Sequence, residues 1–334
     1  MGEAQYSNTP VLHYSNSVVM FAMAKESNES LLAAELKQIA GLTLRIAEPL
    51  ARYTSMKIGG QADYFIEVES GAALATALSL IQRHGAPLCL LGNGSNVLIS
   101  DRGVRAAVIR LAGEFKKVEW RDAGEFVLVG VGAAFAVTQL VREAARKGYA
   151  GLEFAEGIPG SVGGALVMNA GAYGSEFEKV VEQVEAVTAA GAPIIFSRDQ
   201  MTFTYRDSNL PAGAVVTRVT MRLSKGEAAA VGSKLRELVS KRKGSQPSGF
   251  PNSGSMFRNP PGDYAGRLIE AAGLKGKRIG QAQIAERHAN FIVNLGGAKA
   301  DDVRRLMELA RAEVKRQFKV ELIAEVKLLG EWSN

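Results

Sequence analysis

Apolar residues along the chain fall into short runs whose period changes from helical to alternating and back. Leu31, Leu32, Leu36 and Ile39 stand at helical spacing, so the pattern predicts a helix over 31–48. Residues 61–69 alternate and predict a strand. A helix follows over 72–84, stopped by Gly85, Ala86 and Pro87. Short strands are expected at 89–92, 106–111, 126–130, 181–187 and 214–223. Helices are expected at 136–148, with Gly148 as the stop, and at 226–243, whose basic end suits the helix dipole. The stretch 244–262 holds much of the Pro, Gly and Ser and reads as loop. Val303, Leu306, Ala310 and Val314 mark an amphipathic helix over 300–318, and 319–329 reads as a final strand. Strands and helices mix without a strict βαβα rhythm, which predicts an α+β fold. There is no internal repeat. Natural breaks near 103 and 225 divide the chain into 1–30, 31–103, 104–225 and 226–334.

Residues 1–30 are rich in Ser and Asn, show no period, and predict a flexible arm. The apolar run 18–24 is too short to span a bilayer, and no positive segment precedes it. Met23 is an alternative start. One cysteine, Cys89, and no export signal predict a cytoplasmic protein without intramolecular disulfides. The three histidines lie far apart and no zinc spacing occurs, so no metal is expected. Of 334 residues, 47% are hydrophobic and 22% charged, which excludes a disordered or fibrous chain. Glycine is in excess at 36 residues, pointing to tight turns and close backbone approach to a ligand. The net charge of +6 suits anionic ligands such as nucleotides. The basic residues are dispersed and the densest run, Lys241-Arg242-Lys243, is short, so neither nucleic acid nor membrane is an expected partner.

Five stretches carry candidate chemistry. Gly92, Asn93, Gly94, Ser95, Asn96, Val97 and Leu98 follow a short strand and form either a plain β-turn or a nest of backbone N–H groups that holds a diphosphate. Gly157, Ile158, Pro159, Gly160, Ser161, Gly163 and Gly164, then Asn169, Ala170, Gly171 and Ala172, form a glycine-rich run. Its buried-type residues (Ile158, Val162, Leu166, Met168) favour a ligand-wrapping segment over a linker. Tyr205-Arg206 can grip a carboxylate, or Arg206 can form a surface pair with Asp207. Ser255 lacks a paired His for a nucleophilic triad; it is a proton donor or a turn residue. Glu325 belongs to a solvated edge strand or aims a carboxyl into a site. Gly130-Val-Gly132-Ala-Ala-Phe135 opens like a dinucleotide fingerprint but has Phe135 where the third glycine belongs, and reads as an ordinary strand-to-helix turn.

Together these stretches resemble the UDP-N-acetylenolpyruvoylglucosamine reductase family in order and spacing over about residues 45–331. Further matching pieces are 54–63, beginning at Thr54, 265–276, and 288–294. The resemblance implies a two-part FAD-binding region of the vanillyl-alcohol-oxidase/PCMH type, with subdomains over 31–103 and 104–225, and a C-terminal α+β substrate domain over 226–334. It implies FAD and NADPH as cofactors and a UDP-sugar as substrate. It implies catalytic roles for Arg206, Ser255 and Glu325, and substrate contacts at Tyr205, Asn259 and His288. Thr54, the Gly92–Leu98 loop and the second glycine run would hold the flavin. Two departures stand out. No room exists after Arg206 for the insertion whose tyrosine closes over substrate in the first type of the family, so the chain resembles the second type. The family's Leu-x-Pro-Glu-Val ending reads Leu322-Ile323-Ala324-Glu325-Val326, which frees one N–H without moving the glutamate.

The implied reaction is reduction of UDP-N-acetylglucosamine enolpyruvate to UDP-N-acetylmuramate in peptidoglycan precursor synthesis. A cation must meet the substrate carboxylate, and Arg206 fits. A buried, protonated Glu325 would donate a hydrogen bond. Ser255 would donate the proton, helped by a cation from 241–243 or Arg258. Two alternatives stay open: an oxygen-using oxidase of the same flavin architecture, and a non-catalytic flavin- or nucleotide-binding module. The chain could act as a monomer.

Overall fold

The computed structural model describes residues 25–332. The run 18–24, Met23 and most of the arm expected over 1–30 lie outside the described residues. From Lys25 the chain is helical.

The first lobe holds α1 (Lys25–Leu36), β1 (Leu42–Pro49), β2 (Gln61–Val68), α2 (Gly71–Arg83), β3 (Leu88–Leu90), β4 (Val97–Ile99) and β5 (Val104–Leu111). The helix expected over 31–48 is thus corrected. It ends at Leu36, Gly41 takes φ +76° to turn the chain, and 42–49 pairs antiparallel with β2. The sheet order is β1-β2-β5-β3, with β2, β5 and β3 parallel. Leu74, Leu78 and Ile81 of α2 pack on Ile66, Val68 and Ile109 of the sheet. Ser70 caps α2 by accepting the Ala73 N–H at 3.3 Å.

The second lobe begins with β6 (Val118–Asp122), β7 (Phe126–Gly132), α3 (Val137–Arg146), β8 (Tyr149–Ala150) and α4 (Val162–Val167). Two small hairpins, β9 (Gly171–Ala172) with β10 (Ser175–Glu176) and, after β11 (Val181–Val187) and β12 (Pro193–Ser197), β13 (Phe203–Thr204) with β14 (Asp207–Ser208), lie off the main sheet. β15 (Val215–Lys225) completes an antiparallel sheet of order β12-β11-β15-β7-β6, with β8 also paired to β15. Alternate valines of β7, Val129 and Val131, meet Leu140, Val141 and Ala144 of α3 in one core. The glycines of the near-fingerprint serve this sheet. A Cβ on Gly132 would strike the Phe115 carbonyl, and Phe135 is buried in the core.

α5 (Ala228–Ser245) follows the break expected near 225 yet packs on α3 and β8 of the second lobe, with Leu235 against that lobe's core. The third lobe holds β16 (Asn252–Ser255), α6 (Ala265–Ala271), β17 (Arg278–Ile279), β18 (Ala282–Ile284), β19 (Phe291–Asn294), α7 (Ala300–Phe318) and β20 (Lys327–Leu329). Its sheet runs β16-β19-β18-β17. The 244–262 stretch is therefore not all loop: β16 sits inside it. The strand expected over 319–329 is also corrected. Ala324 makes one isolated antiparallel bridge to Phe257, and only 327–329 is strand. That strand leaves its own lobe and pairs parallel with β4, Leu328 opposite Leu98. The core of α6 and α7 includes Met56, Ile58 and Leu98 of the first lobe. The Asp101 carboxylate caps α7 from the first lobe, accepting the N–H groups of Ala300 at 2.9 Å and Asp301 at 3.1 Å.

Candidate functional site

The two glycine runs lie side by side. Ser95 Oγ donates to the Pro159 carbonyl at 2.8 Å. A Cβ on Gly92 would come within 2.8 Å of Ser161 Oγ, and one on Gly160 (φ +133°) within 2.9 Å of Ser95 Oγ. Gly94 has φ +62°, and a Cβ there would run into the Tyr53 carbonyl. Only glycine satisfies both the conformation and the space at Gly94. Gly92, Asn93 and Gly164 are exposed along this seam, so backbone is presented where side chains would otherwise stand.

Other members of the expected cofactor set are occupied by the protein itself. The buried Thr54 hydroxyl shares its one proton between the carbonyls of Ala51 and Ile58 and accepts the Ile58 N–H. Asn169, fully buried at φ +37°, gives its amide to Glu176 Oε2 at 2.8 Å and the Thr204 carbonyl at 3.3 Å, and accepts the Glu178 N–H at 3.0 Å. It thereby fixes the β13–β14 hairpin. Leu98 is buried in the third-lobe core. These three residues shape the seam without projecting a free polar atom into it.

The two-residue tip of that hairpin is Tyr205-Arg206. Arg206 adopts φ +62°, a left-handed conformation unfavourable for a side chain with Cβ. It does not pair with Asp207. Its Nε donates to Glu325 Oε1 at 2.9 Å, and its Nη2 reaches the Gly171 carbonyl at 3.5 Å. The Tyr205 ring stands 4.9 Å from the guanidinium carbon. The Arg206 and Glu325 side chains are only 18% and 15% exposed, so this ion pair is largely withdrawn from water. Burial pushes the Glu325 carboxyl above the ordinary glutamate range, and the Arg206 and then Arg258 cations pull it back. Glu325 thus takes the second of its two sequence readings.

Backbone clasps bring the remaining groups to this pair. The Glu325 N–H donates to the Met256 carbonyl at 2.8 Å, and the Asn96 amide donates to the Glu325 carbonyl at 3.2 Å. Glu325 is therefore held between the first glycine loop and the residue after Ser255. Ser255 ends β16 after a bulge: Asn252 pairs with Val293 and Ser255 with Phe291, three residues against two. Gly254, at φ +76°, absorbs the extra residue, and Asn252 Oδ1 accepts its N–H at 3.1 Å. Such bulges re-aim a side chain. Among the described residues the Ser255 hydroxyl makes no hydrogen bond. Asn290, missed as a site residue by the sequence reading, clamps the next residues. Its side chain accepts the Phe257 N–H at 2.9 Å and donates to the Phe257 carbonyl at 2.8 Å. The family proline position, Ala324, is a non-hydrogen-bonded site of the bridge, so neither residue costs a ladder bond there.

Asn259 accepts the Ala265 N–H at 3.1 Å, starting α6, and is otherwise exposed. His288 lies against Gly266 of α6, where a Cβ would come within 2.9 Å of its ring. Burial lowers its pKa, and Nδ1 accepts the Asn290 N–H at 3.3 Å, so the neutral ring carries its proton on Nε2.

Sequence reasoning also missed a cationic groove of about 610 Å³ beyond Thr54 and Asn93, lined by Arg45, Arg52, Tyr53, Lys57 and Arg110 as well. Tyr53 stacks on Phe65 and lies between Arg52 and Arg110, their guanidinium carbons 5.0 and 5.4 Å from its ring. Glu67 pairs with Arg45 and Arg110, and Glu48 with Arg52. Four cations against two carboxylates leave the groove positive. The signal was dispersed over some 65 residues of sequence and only the fold collects it. Of the Lys241-Arg242-Lys243 run, Arg242 packs on Gly157 of the second loop and Lys241 pairs with Glu237 at 2.6 Å. Among the described residues no cluster of His, Cys, Asp and Glu could hold a metal ion, and no helix is long and apolar enough to cross a membrane.

Residues 246–329 match the family described as UDP-N-acetylenolpyruvoylglucosamine reductase, C-terminal domain, and residues 62–197 match the FAD binding domain. The chain is 46% identical over 288 residues to UDP-N-acetylenolpyruvoylglucosamine reductase 2 of Symbiobacterium thermophilum, covering 86% of this chain and 92% of that one. It is 44% identical over 296 residues to the UDP-N-acetylenolpyruvoylglucosamine reductase of Anaeromyxobacter sp. strain K, covering 89% and 88%. Among solved structures, the UDP-N-acetylenolpyruvylglucosamine reductase of Thermus caldophilus aligns with a TM-score of 0.73 at 39% identity, covering 86% of this chain and 98% of that one.

Proposed function

The chain belongs to the UDP-N-acetylenolpyruvoylglucosamine reductase family, and from that premise we propose that Arg206, Ser255 and Glu325 carry out its chemistry where the three lobes meet. It is an FAD-dependent oxidoreductase that uses NADPH to reduce UDP-N-acetylglucosamine enolpyruvate to UDP-N-acetylmuramate in peptidoglycan precursor synthesis. Its FAD-binding part is of the vanillyl-alcohol-oxidase/PCMH type. The division of labour we propose gives 31–103 and 104–225 to the flavin and 226–334 to the substrate.

The glycine seam fits a dinucleotide. A Cβ at Gly94 collides with backbone, one at Gly92 or Gly160 crowds a serine oxygen, and a cationic groove lies at the end of the loop. Residues 92–96 would hold the diphosphate through backbone N–H groups, with the groove cations balancing its charge, while Val97 and Leu98, paired in β4, anchor the loop. Gly157–Gly164 and Ala170–Ala172 would line the flavin, and Arg242 would steady the second loop. Bound FAD, reduced by NADPH, supplies the hydride for the vinyl carbon of the substrate.

The chain's own residues do the rest. Arg206 has N–H groups left after its bond to Glu325, and these receive the substrate carboxylate, on which negative charge builds as the hydride arrives. Glu325, in its protonated form, donates a hydrogen bond to the same carboxylate. The neighbouring carbon then takes a proton from Ser255 Oγ. Tyr205, Asn259 and His288, the last through Nε2–H, would contact the UDP-sugar. A cytoplasmic location and action as a single chain belong to the same proposal.

The observation that carries this reading is the Arg206–Glu325 pair, joined by Asn96 to one glycine loop and by Met256 to the Ser255 strand. The test separates the two half-reactions by stopped flow. Ser255→Ala is expected to leave flavin reduction by NADPH within about twofold. It should slow oxidation of the reduced enzyme by UDP-N-acetylglucosamine enolpyruvate roughly 10²- to 10⁴-fold, the usual worth of a general acid. Equal loss in both halves overturns the role.

A further inference from the structure

Arg206 is already engaged with Glu325 before any substrate carboxylate arrives. Arg206 alone would have to serve both Glu325, whose Oε1 already takes its Nε–H, and the incoming substrate carboxylate, and until Glu325 takes up its proton the largely buried site would hold net negative charge. The isolated bridge between Phe257 and Ala324 supplies another cation. Its two hydrogen bonds, Arg258 N–H to the Ile323 carbonyl at 2.9 Å and Glu325 N–H to the Met256 carbonyl at 2.8 Å, fix the register. In that register Arg258 and Glu325 are diagonal neighbours on one face, a separation long side chains span. The Arg258 Nε is buried and lacks a hydrogen-bond partner. A buried guanidinium N–H without a partner is costly and points to a partner acquired in the working complex.

We propose that Arg258 is a positioning residue for Glu325, a second cation that holds its carboxyl so that the remaining N–H groups of Arg206 are free to accept the substrate carboxylate. This rests on the reading of Glu325 given above. The charged groups facing Glu325 are Arg206 from the β13–β14 tip and Arg258 from the segment after β16. The first glycine loop presents uncharged Asn96.

Arg258→Gln and Arg258→Lys holoenzymes test it, with flavin content and melting temperature establishing that each is folded. The direct readout is a 13C titration of the Glu325 side-chain carbon in glutamate-labelled holoenzyme, the resonance being the one lost in Glu325→Gln. Removing a cation favours the protonated carboxyl, so Arg258→Gln should titrate at higher pH and Arg258→Lys close to wild type. Oxidation of the reduced enzyme by substrate should slow roughly 10- to 100-fold in Arg258→Gln, with its alkaline limb moved to higher pH and flavin reduction by NADPH unchanged. An unmoved Glu325 titration overturns the inference. Should Arg258→Gln not fold, Arg258→Met, which keeps the length of the side chain without its charge, is titrated instead, and an unmoved Glu325 there overturns the inference. Full activity of Glu325→Gln would overturn the site reading instead, while the titration still decides about Arg258.

Discussion

At Glu325 the requirements of function and stability oppose one another. Burial raises its pKa above that of an unfolded glutamate, against the pull of Arg206 and Arg258. The folded state therefore holds a proton in a window where the unfolded state has released it. The associated stability is complete below the ordinary glutamate range and is lost as pH rises through the raised value. Glutamine has no such loss. The melting temperature of Glu325→Gln relative to wild type should accordingly shift in the variant's favour as pH rises from the ordinary glutamate range through the raised value, measured by calorimetry. A gap independent of pH would show that Glu325 titrates as in the unfolded chain. The sequence made this residue legible as one of two things, because alternation around it supports a solvated strand equally well. What decided between them was Arg206, 119 residues away in the chain, which periodicity cannot report.

Elements with a strong period were legible nearly to their ends. The helices expected at 72–84, 136–148, 226–243 and 300–318 are α2, α3, α5 and α7. Each has apolar residues on one face and a partner sheet or helix to bury them. Strands at the rim were not legible: β6 and β12 end the second sheet, carry exposed alternate residues and have little apolar contrast. α4 was hidden because two glycines in six residues contradict helix propensity, and packing of Val162 and Leu166 overrides it. In the first glycine loop, by contrast, the glycines themselves were the signal. Gly94→Ala places a Cβ against the Tyr53 carbonyl at positive φ, a strain of about 1–3 kcal/mol. Flavin affinity should fall about tenfold or more, read as flavin retained through dialysis, while Gly85→Ala, at similar φ in open space, should keep it.

Across the whole molecule, the lobes are tied by polar side chains that no local pattern announces. Ser55 donates to the Asn252 carbonyl at 2.7 Å, Asn294 to the Met56 carbonyl at 3.0 Å, and Asp101 caps α7. Each links residues about 200 or more positions apart, a distance over which no local pattern reports a contact. Asp101→Ala removes the acceptor of two helix-end N–H groups. It should cost about 1–2 kcal/mol, a fall of a few degrees in melting temperature, with the chemical steps intact in the enzyme that remains folded. An unchanged melting temperature would mean that water caps α7 equally well.

The pairing of β20 with β4 also sets an order of events in the cell. Leu98 and Leu328 are partners, yet the ribosome makes the second 230 residues after the first. At ~5–20 residues per second the first glycine loop waits on the order of 10–50 s for the strand that braces it. Glu325, two residues before that strand, arrives just as late. Both glycine runs and the cationic groove are made well before β20, and only the brace on β4 is missing. A product that stops short of Lys327 therefore keeps both glycine runs but leaves the edge of β4 unpaired, an open template for another strand.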